Sequence, residues 1–108
     1  MRRGPIPDDV KRQAEAVISA FNQKVIRDPG RYYVARYRGQ YLYLARLASG
    51  APRRIARLAY DEAAGAWEFA IFRYSDERYA ADEWLFPGSD FLDGTLEGAL
   101  KAGLEAYP

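Results

Sequence analysis

Three observations in this 108-residue chain predict an α+β fold: an N-terminal helix, a four- to five-stranded antiparallel β-meander and a C-terminal helix. Apolar residues recur every three or four positions between Val10 and Val25. Short runs rich in Tyr, Val and Leu then alternate with brief polar or glycine-bearing breaks. Leucines finally return at Leu92, Leu96, Leu100 and Leu104, again with helical spacing.

Taken in order, Val10, Ala14, Val17, Ile18, Phe21 and Val25 form one apolar stripe on a helix over residues 7–27. Asp8 and Asp9 suit its first turn, where a carboxylate caps free N–H groups and meets the positive dipole end. Asp28-Pro29-Gly30 stops the helix. Strands are expected over residues 31–38 and 40–48 with Arg38-Gly39 as the tight turn. Ser49-Gly50-Ala51-Pro52 ends the second, and a third follows over residues 53–60. After a loop at 61–65, "AWEFAIFRY" (66–74) alternates as a fourth strand, and residues 78–86 supply a fifth. Connections this short allow hairpins but no parallel crossover. Pro87-Gly88-Ser89-Asp90 then breaks the sheet before a helix over residues 91–106, with Asp90 as its N-cap and Asp93 near the positive end. Gly94, Gly98 and Gly103 each cost that helix about 0.8–1 kcal/mol relative to alanine. Gly94, Gly98 and Ala102 therefore read as a smooth strip for close packing.

Composition narrows the function. Hydrophobic residues are 49% of the chain and aromatics 15%, too many for a disordered segment. The length fits one domain, residues 1–108, with residues 1–6 as a flexible N-terminal tail. No apolar run approaches the roughly 20 residues of a membrane span, and no signal-peptide pattern opens the chain. The expectation is a soluble, cytoplasmic protein of bacterial type with no membrane partner. Cysteine and histidine are both absent. Disulfides, thiol chemistry, ordinary zinc sites and histidine acid–base catalysis are thereby removed. Glycine-rich phosphate loops and serine elbows are missing as well. The acidic pairs Asp8-Asp9, Asp61-Glu62, Asp76-Glu77 and Asp82-Glu83 fall mostly at turns, where solvated carboxylates are ordinary. "SDFLDG" (89–94) lacks the alternating ligands of a calcium loop and reads as a helix cap. The chain is expected to be no enzyme and to need no cofactor.

The net charge of +1 conceals an asymmetry. Residues 1–57 hold 13 basic and 4 acidic side chains, whereas residues 58–108 hold 3 basic and 11 acidic. Such a split fits either a nucleic-acid-facing half or two halves that pair with each other.

The stretch "RYYVARYRGQYLYLARL" (31–47) weaves tyrosine with arginine. Folding it about Arg38-Gly39 sets Tyr32, Val34, Arg36, Tyr41, Tyr43 and Ala45 on one face. Extending the register adds Ala56, Leu58, Tyr60, Trp67, Phe69 and Ile71, a nearly continuous apolar surface assigned to the core beneath the first helix. The other face carries Tyr33, Ala35, Tyr37, Leu42, Leu44, Arg46, Ile55, Arg57, Glu68 and Phe72. It needs cover from the last helix or from a partner. Arg57 and Glu68 are expected to be near neighbours across strands. A one-residue slip in register would exchange the faces.

Two functions follow. The first is a non-enzymatic interaction domain that binds another protein or self-associates as a homodimer, with Tyr33, Tyr37, Leu42, Leu44, Ile55 and Phe72 as the interface. The second is a nucleic-acid-binding module in which Arg36, Arg38, Arg53, Arg54 and Arg57 neutralise phosphates and Tyr33 or Tyr37 stacks. The order helix–meander–helix resembles double-stranded RNA-binding domains, but "FLDGTLEGALKAGLEAY" carries one lysine where those domains are basic.

Residues 54–84, "RIARLAYDEAAGAWEFAIFRYSDERYAADEW", resemble a family of small bacterial domains that has no assigned activity. In that family a leading helix enters a meander whose middle strands read apolar-Ala-Arg-apolar and then Gly-x-Trp-x-apolar, before a leucine-rich closing helix. Ala56-Arg57-Leu58, Gly65-Ala66-Trp67 and Leu96 to Leu104 stand at those places. The resemblance implies a fold and no function.

Overall fold

The computed structural model describes residues 4–108. Its elements run α1 (Asp8–Phe21), β1 (Arg31–Arg38), β2 (Tyr41–Ala48), β3 (Ala51–Asp61), β4 (Ala66–Arg73), β5 (Arg78–Ala80) and α2 (Leu96–Ala106). A π-helical turn, Asn22–Ile26, prolongs α1, and a 3-10 turn, Ser89–Phe91, precedes α2. All five strands join in one sheet of order β1-β2-β3-β4-β5, each neighbouring pair antiparallel. This is the α+β meander with a helix at each end that the sequence predicts.

The turns explain the registers. Arg38 pairs with Tyr41, so the first hairpin turns at Gly39-Gln40, one residue later than expected. Pairing thereby moves by two residues, which leaves the faces of that hairpin unchanged. Ala48 pairs with Ala51 across Ser49 (φ 53°) and Gly50 (φ 79°). Two left-handed residues in succession make a turn whose twist matches the strands it joins. Ser49-Gly50 therefore starts β3 at once.

α1 buries Val10, Ala14, Ile18 and Phe21. Asp8 and Asp9 occupy its first turn, but no side chain caps the helix and Pro7 holds the N-cap position. The predicted stripe fails at Val25, which is exposed, because the wider π turn rotates it away from the sheet. That turn positions Asn22 against the sheet edge. Its Nδ2 donates to the Tyr33 carbonyl (3.0 Å) and its Oδ1 accepts from the Tyr33 amide (2.8 Å). A side-chain amide thus completes the backbone pairing of edge strand β1. Ile6, expected in a flexible tail, is buried, and its amide donates to the Gly39 carbonyl at 3.2 Å. Residues 1–3 of that expected tail lie outside the described residues.

The C-terminal elements begin and end differently from expectation. β5 stops at Ala80, because Glu83 folds back, its amide donating to the Ala80 carbonyl (3.3 Å) and its carboxylate accepting from Arg73 (2.8 Å). α2 starts at Leu96 with Thr95 as the N-cap, its hydroxyl accepting from the Gly98 amide at 3.0 Å. Asp90 lies in the 3-10 turn instead. Asp93 accepts from the Thr95 amide (3.0 Å) and hydroxyl (2.6 Å), and these bonds hold its carboxyl below the usual range.

Both helices share one face of the sheet. Their buried residues join Tyr33, Leu42, Leu44, Ile55, Ala56 and Leu58 in one core. Gly103 makes the approach of α2 feasible, since a Cβ there would stand 2.6 Å from the Tyr33 hydroxyl oxygen and 2.7 Å from Ile55 Cγ2. That hydroxyl donates to the Leu100 carbonyl at 2.8 Å. Gly98 likewise lies where a Cβ would meet Asp93 Oδ1 and the Phe91 carbonyl, both at 2.4 Å.

One irregularity overturns the predicted faces. Register shifts between Leu44/Ala45 on β2, where Ala45 pairs with Arg54 but Leu44 pairs with Ala56. Ile55 is the extra residue of a β-bulge. Beyond it Tyr43 lies opposite Arg57 and Leu42 opposite Leu58. Leu58, Tyr60, Trp67, Phe69 and Ile71 therefore share the helix-covered side with Tyr33, Leu42 and Leu44, rather than with Tyr41 and Tyr43 as expected.

A basic, aromatic sheet face as candidate site

The face turned away from the helices is where tyrosine and arginine meet. The registers place Arg36, Arg38, Tyr41, Tyr43, Arg54, Arg57, Phe72 and Tyr79 on it, with small residues Ala45, Ala59 and Ala70 between them. Tyr43 stands between Arg36 on β1 and Arg57 on β3. Arg38 is opposite Tyr41. Glu68 lies on this face too, opposite Ala59 and diagonal to Arg57, whose direct partner is Ala70.

The side chains interlock. The Arg57 guanidinium carbon is 4.3 Å from the Tyr41 ring centroid and 5.5 Å from that of Tyr79. Tyr43 meets Tyr79 edge-on at 5.5 Å, and Phe72 meets Tyr79 at 4.9 Å. Arg54 covers the Phe72 ring at 5.3 Å. Cation–π contacts of this kind favour guanidiniums near the ring faces and so restrict their direction. Burial pushes the Tyr79 phenol above its ordinary pKa, so it remains a neutral ring near neutral pH. Such a surface offers planar cations and π faces, the two groups that recognise phosphate and stacked bases.

Of the residues assigned to a protein interface, Tyr33, Leu42, Leu44 and Ile55 are buried in the core beneath the chain's own helices. This corrects the expected interface: the cover that this face needs comes from the chain's own α2, together with α1, and leaves these four residues no surface to offer a partner. Tyr37 is half-buried on the same side, its hydroxyl donating to Glu15 at 2.5 Å. Burial and that bond raise its pKa, so it stays protonated. Phe72 is on the open side but buried under Arg54, Tyr74 and Tyr79. Neither Tyr33 nor Tyr37, named for stacking, is on the open face.

Four of the five predicted patch arginines, Arg36, Arg38, Arg54 and Arg57, come together there. Arg53 does not; it lies opposite Arg46 and over the rings of Tyr74 (5.6 Å) and Tyr107 (5.1 Å). The platform tyrosines Tyr41, Tyr43 and Tyr79 were assigned to the core or left unassigned by the sequence. The signal that finds them is the pair Arg54 and Arg57, three positions apart, which share a face only if a bulge separates them.

Elsewhere the charged groups have structural work. Arg46 is 2% exposed, and its Nη2 donates to the Tyr107 carbonyl beyond the last turn of α2. A cation there complements the negative end of the helix dipole. Burial lowers its pKa, and Nη1 has no partner among the described residues. Asp76 bridges Arg73 and Arg78, both at 2.7 Å, and those hydrogen bonds hold its carboxyl well below the carboxylate range. Among the described residues no three carboxylates are grouped to hold a metal ion. No described helix is long and apolar enough to cross a membrane.

No protein-family model matches the chain, and comparison with curated proteins and with solved structures also finds no match.

Proposed function

We propose that this chain is a non-enzymatic binding module whose open sheet face takes single-stranded nucleic acid. The observation that carries the reading is the gathering of Arg36, Arg38, Arg54 and Arg57 among Tyr41, Tyr43 and Tyr79 on the sheet face that no described helix covers. Arginine forks suit phosphate oxygens, and tyrosine rings on adjacent strands suit unstacked bases. A single strand is favoured over a duplex because paired bases hide the faces that rings would stack on. The acidic α2 does not oppose this, since it packs on the other side of the sheet.

The test is a fluorescence-anisotropy titration of labelled 12-nucleotide RNA and DNA. Four phosphate contacts on a single strand give a slope of log affinity against log salt of about −3, roughly a fiftyfold loss between 50 and 200 mM. Arg54→Glu with Arg57→Glu should reduce affinity far more than Arg53→Glu, which lies off the face. Tyr43→Ala should cost about 1–3 kcal/mol if a base stacks there. Absence of binding at 50 mM salt, or equal losses for Arg53→Glu and the double variant, would refute the reading.

A further inference from the structure

The most exposed large hydrophobic residues described are Trp84 and Leu85, at 79% and 88%. They lie in the segment between β5 and α2, residues 81–95, which holds Asp82, Glu83, Asp90 and Asp93 and no basic residue. The segment is tied down on both sides of the pair. Glu83 accepts from Arg73 at 2.8 Å, and Phe86 stacks on Phe69 at 5.7 Å with the rings 20° apart. Further on, the Gly94 carbonyl accepts from the Trp67 amide at 2.7 Å. Phe86 is thus drawn in while its two predecessors are held out in water, an acidic knob with an apolar tip. Its exposure is costly in isolation and calls for an occupied state.

The chain's own open face has the complementary chemistry. It is basic where the knob is acidic, and tryptophan is the strongest aromatic partner for an arginine plane. The knob cannot serve its own molecule, because the Phe86–Phe69 stack fastens it on the helix side of the sheet while the basic face points the other way. We infer that Trp84 and Leu85 dock on the Arg54/Arg57/Tyr43 face of a second copy, with Asp82, which is 74% exposed although 3.6 Å from its own Arg78, beside the arginines of that copy. The contact uses the surface proposed for nucleic acid but does not depend on nucleic acid binding there. It makes self-association and nucleic acid mutually exclusive on that face.

Sedimentation velocity in the absence of nucleic acid decides the matter. The full chain should associate with concentration at about 50 mM salt, and at least tenfold more weakly at about 500 mM, where screening is nearly complete. Trp84→Ser with Leu85→Ser removes the knob, and Arg54→Glu with Arg57→Glu removes the receptor. Each variant alone should be monomeric, and an equimolar mixture should regain a heterodimer, since each supplies what the other lacks. Matching circular dichroism establishes that both are folded; Arg36→Glu with Arg38→Glu replaces the second if it is not. A full chain monomeric up to about 1 mM, a concentration at which a complex with a millimolar Kd is substantially populated, overturns the inference. So does association that survives loss of the knob, or a mixture that stays monomeric. A negative nucleic-acid titration leaves these outcomes untouched.

Discussion

Replacing Gly103 with alanine tests the packing that leaves one sheet face open. In a solvent-facing helix this change stabilises by about 1 kcal/mol through helix propensity. Here the new Cβ would stand 2.6 Å from the Tyr33 hydroxyl oxygen and 2.7 Å from Ile55 Cγ2. Neither atom is free to yield: the hydroxyl is bonded to the Leu100 carbonyl, and Ile55 is fully buried in the bulge. Overpacking of this kind costs about 1–3 kcal/mol, with two contacts placing it toward the upper end. The net expectation is destabilisation by about 1–2 kcal/mol. Tyr33→Phe alone should cost about 1–1.5 kcal/mol for a buried hydrogen bond. In that background the oxygen is gone, so Gly103→Ala meets Ile55 only. The double-mutant cycle should therefore show a coupling of about 0.5–1.5 kcal/mol in the direction of relief. Urea unfolding of the four proteins, followed by far-ultraviolet circular dichroism at pH 7, measures each corner. If Gly103→Ala stabilised the protein, or cost the same in both backgrounds, α2 would not rest on Tyr33 and Ile55. The basic face would then no longer be defined as the side away from α2.

Two further outcomes follow from groups on the covered side. Burial raises the Tyr33 phenol to about 12 against an ordinary value of 10, a shift that outweighs the opposing pull of Arg46. A raised pKa contributes stability that is complete below about pH 10 and is lost as pH rises through about 12, in all about 2–3 kcal/mol; the fall in unfolding free energy between pH 9 and 11.5 should be smaller in Tyr33→Phe, and an identical fall would refute the assignment. Asn22→Ala removes both bonds to the Tyr33 backbone and should cost about 1–3 kcal/mol, with faster hydrogen exchange at the Tyr33 amide; unchanged exchange would show that the π turn does not seal the β1 edge.

What was legible in the sequence is local. The stripe from Val10 to Phe21 is written in consecutive turns of α1, and the Ser49-Gly50 hairpin is set by two residues able to adopt positive φ. The errors concern choices made by distant groups. Asp90 and Thr95 are both sound caps in isolation; Thr95 prevails because Asp93 orients it and because α2 must begin where Gly98 fits against Asp93 and Phe91. β5 is short because Glu83 finds Arg73, a contact between residues ten apart. The charge asymmetry is resolved locally among the described residues. Ion pairs joining Arg73 and Arg78 to Asp76, Asp82 and Glu83 are internal to the acidic half. Arg36, Arg38, Arg54 and Arg57 are left facing outward on the sheet.

The functional surface turns on a single residue. Continuing the pairing set by the Ser49-Gly50 turn would place Leu44 opposite Ile55 and Tyr43 opposite Ala56, sending Leu58 to the tyrosine side. Alternation would then put Arg54 and Arg57 on opposite faces, because they are three positions apart. The bulge at Ile55 reverses both results together: Leu58 joins Leu42 and Leu44 under the helices, and Arg57 joins Arg54 beside Tyr43. Neither glycine nor proline marks the place. Its trace in "RRIARLAY" is the two successive apolar residues, Ile55 and Ala56, that set Arg54 and Arg57 three positions apart. Burial is what selects the bulged register, since the regular one would leave Leu58, Phe69 and Ile71 on the face that no helix covers. Core formation and the gathering of the arginines are therefore one event, and the basic face is a consequence of how the hydrophobic side had to be filled.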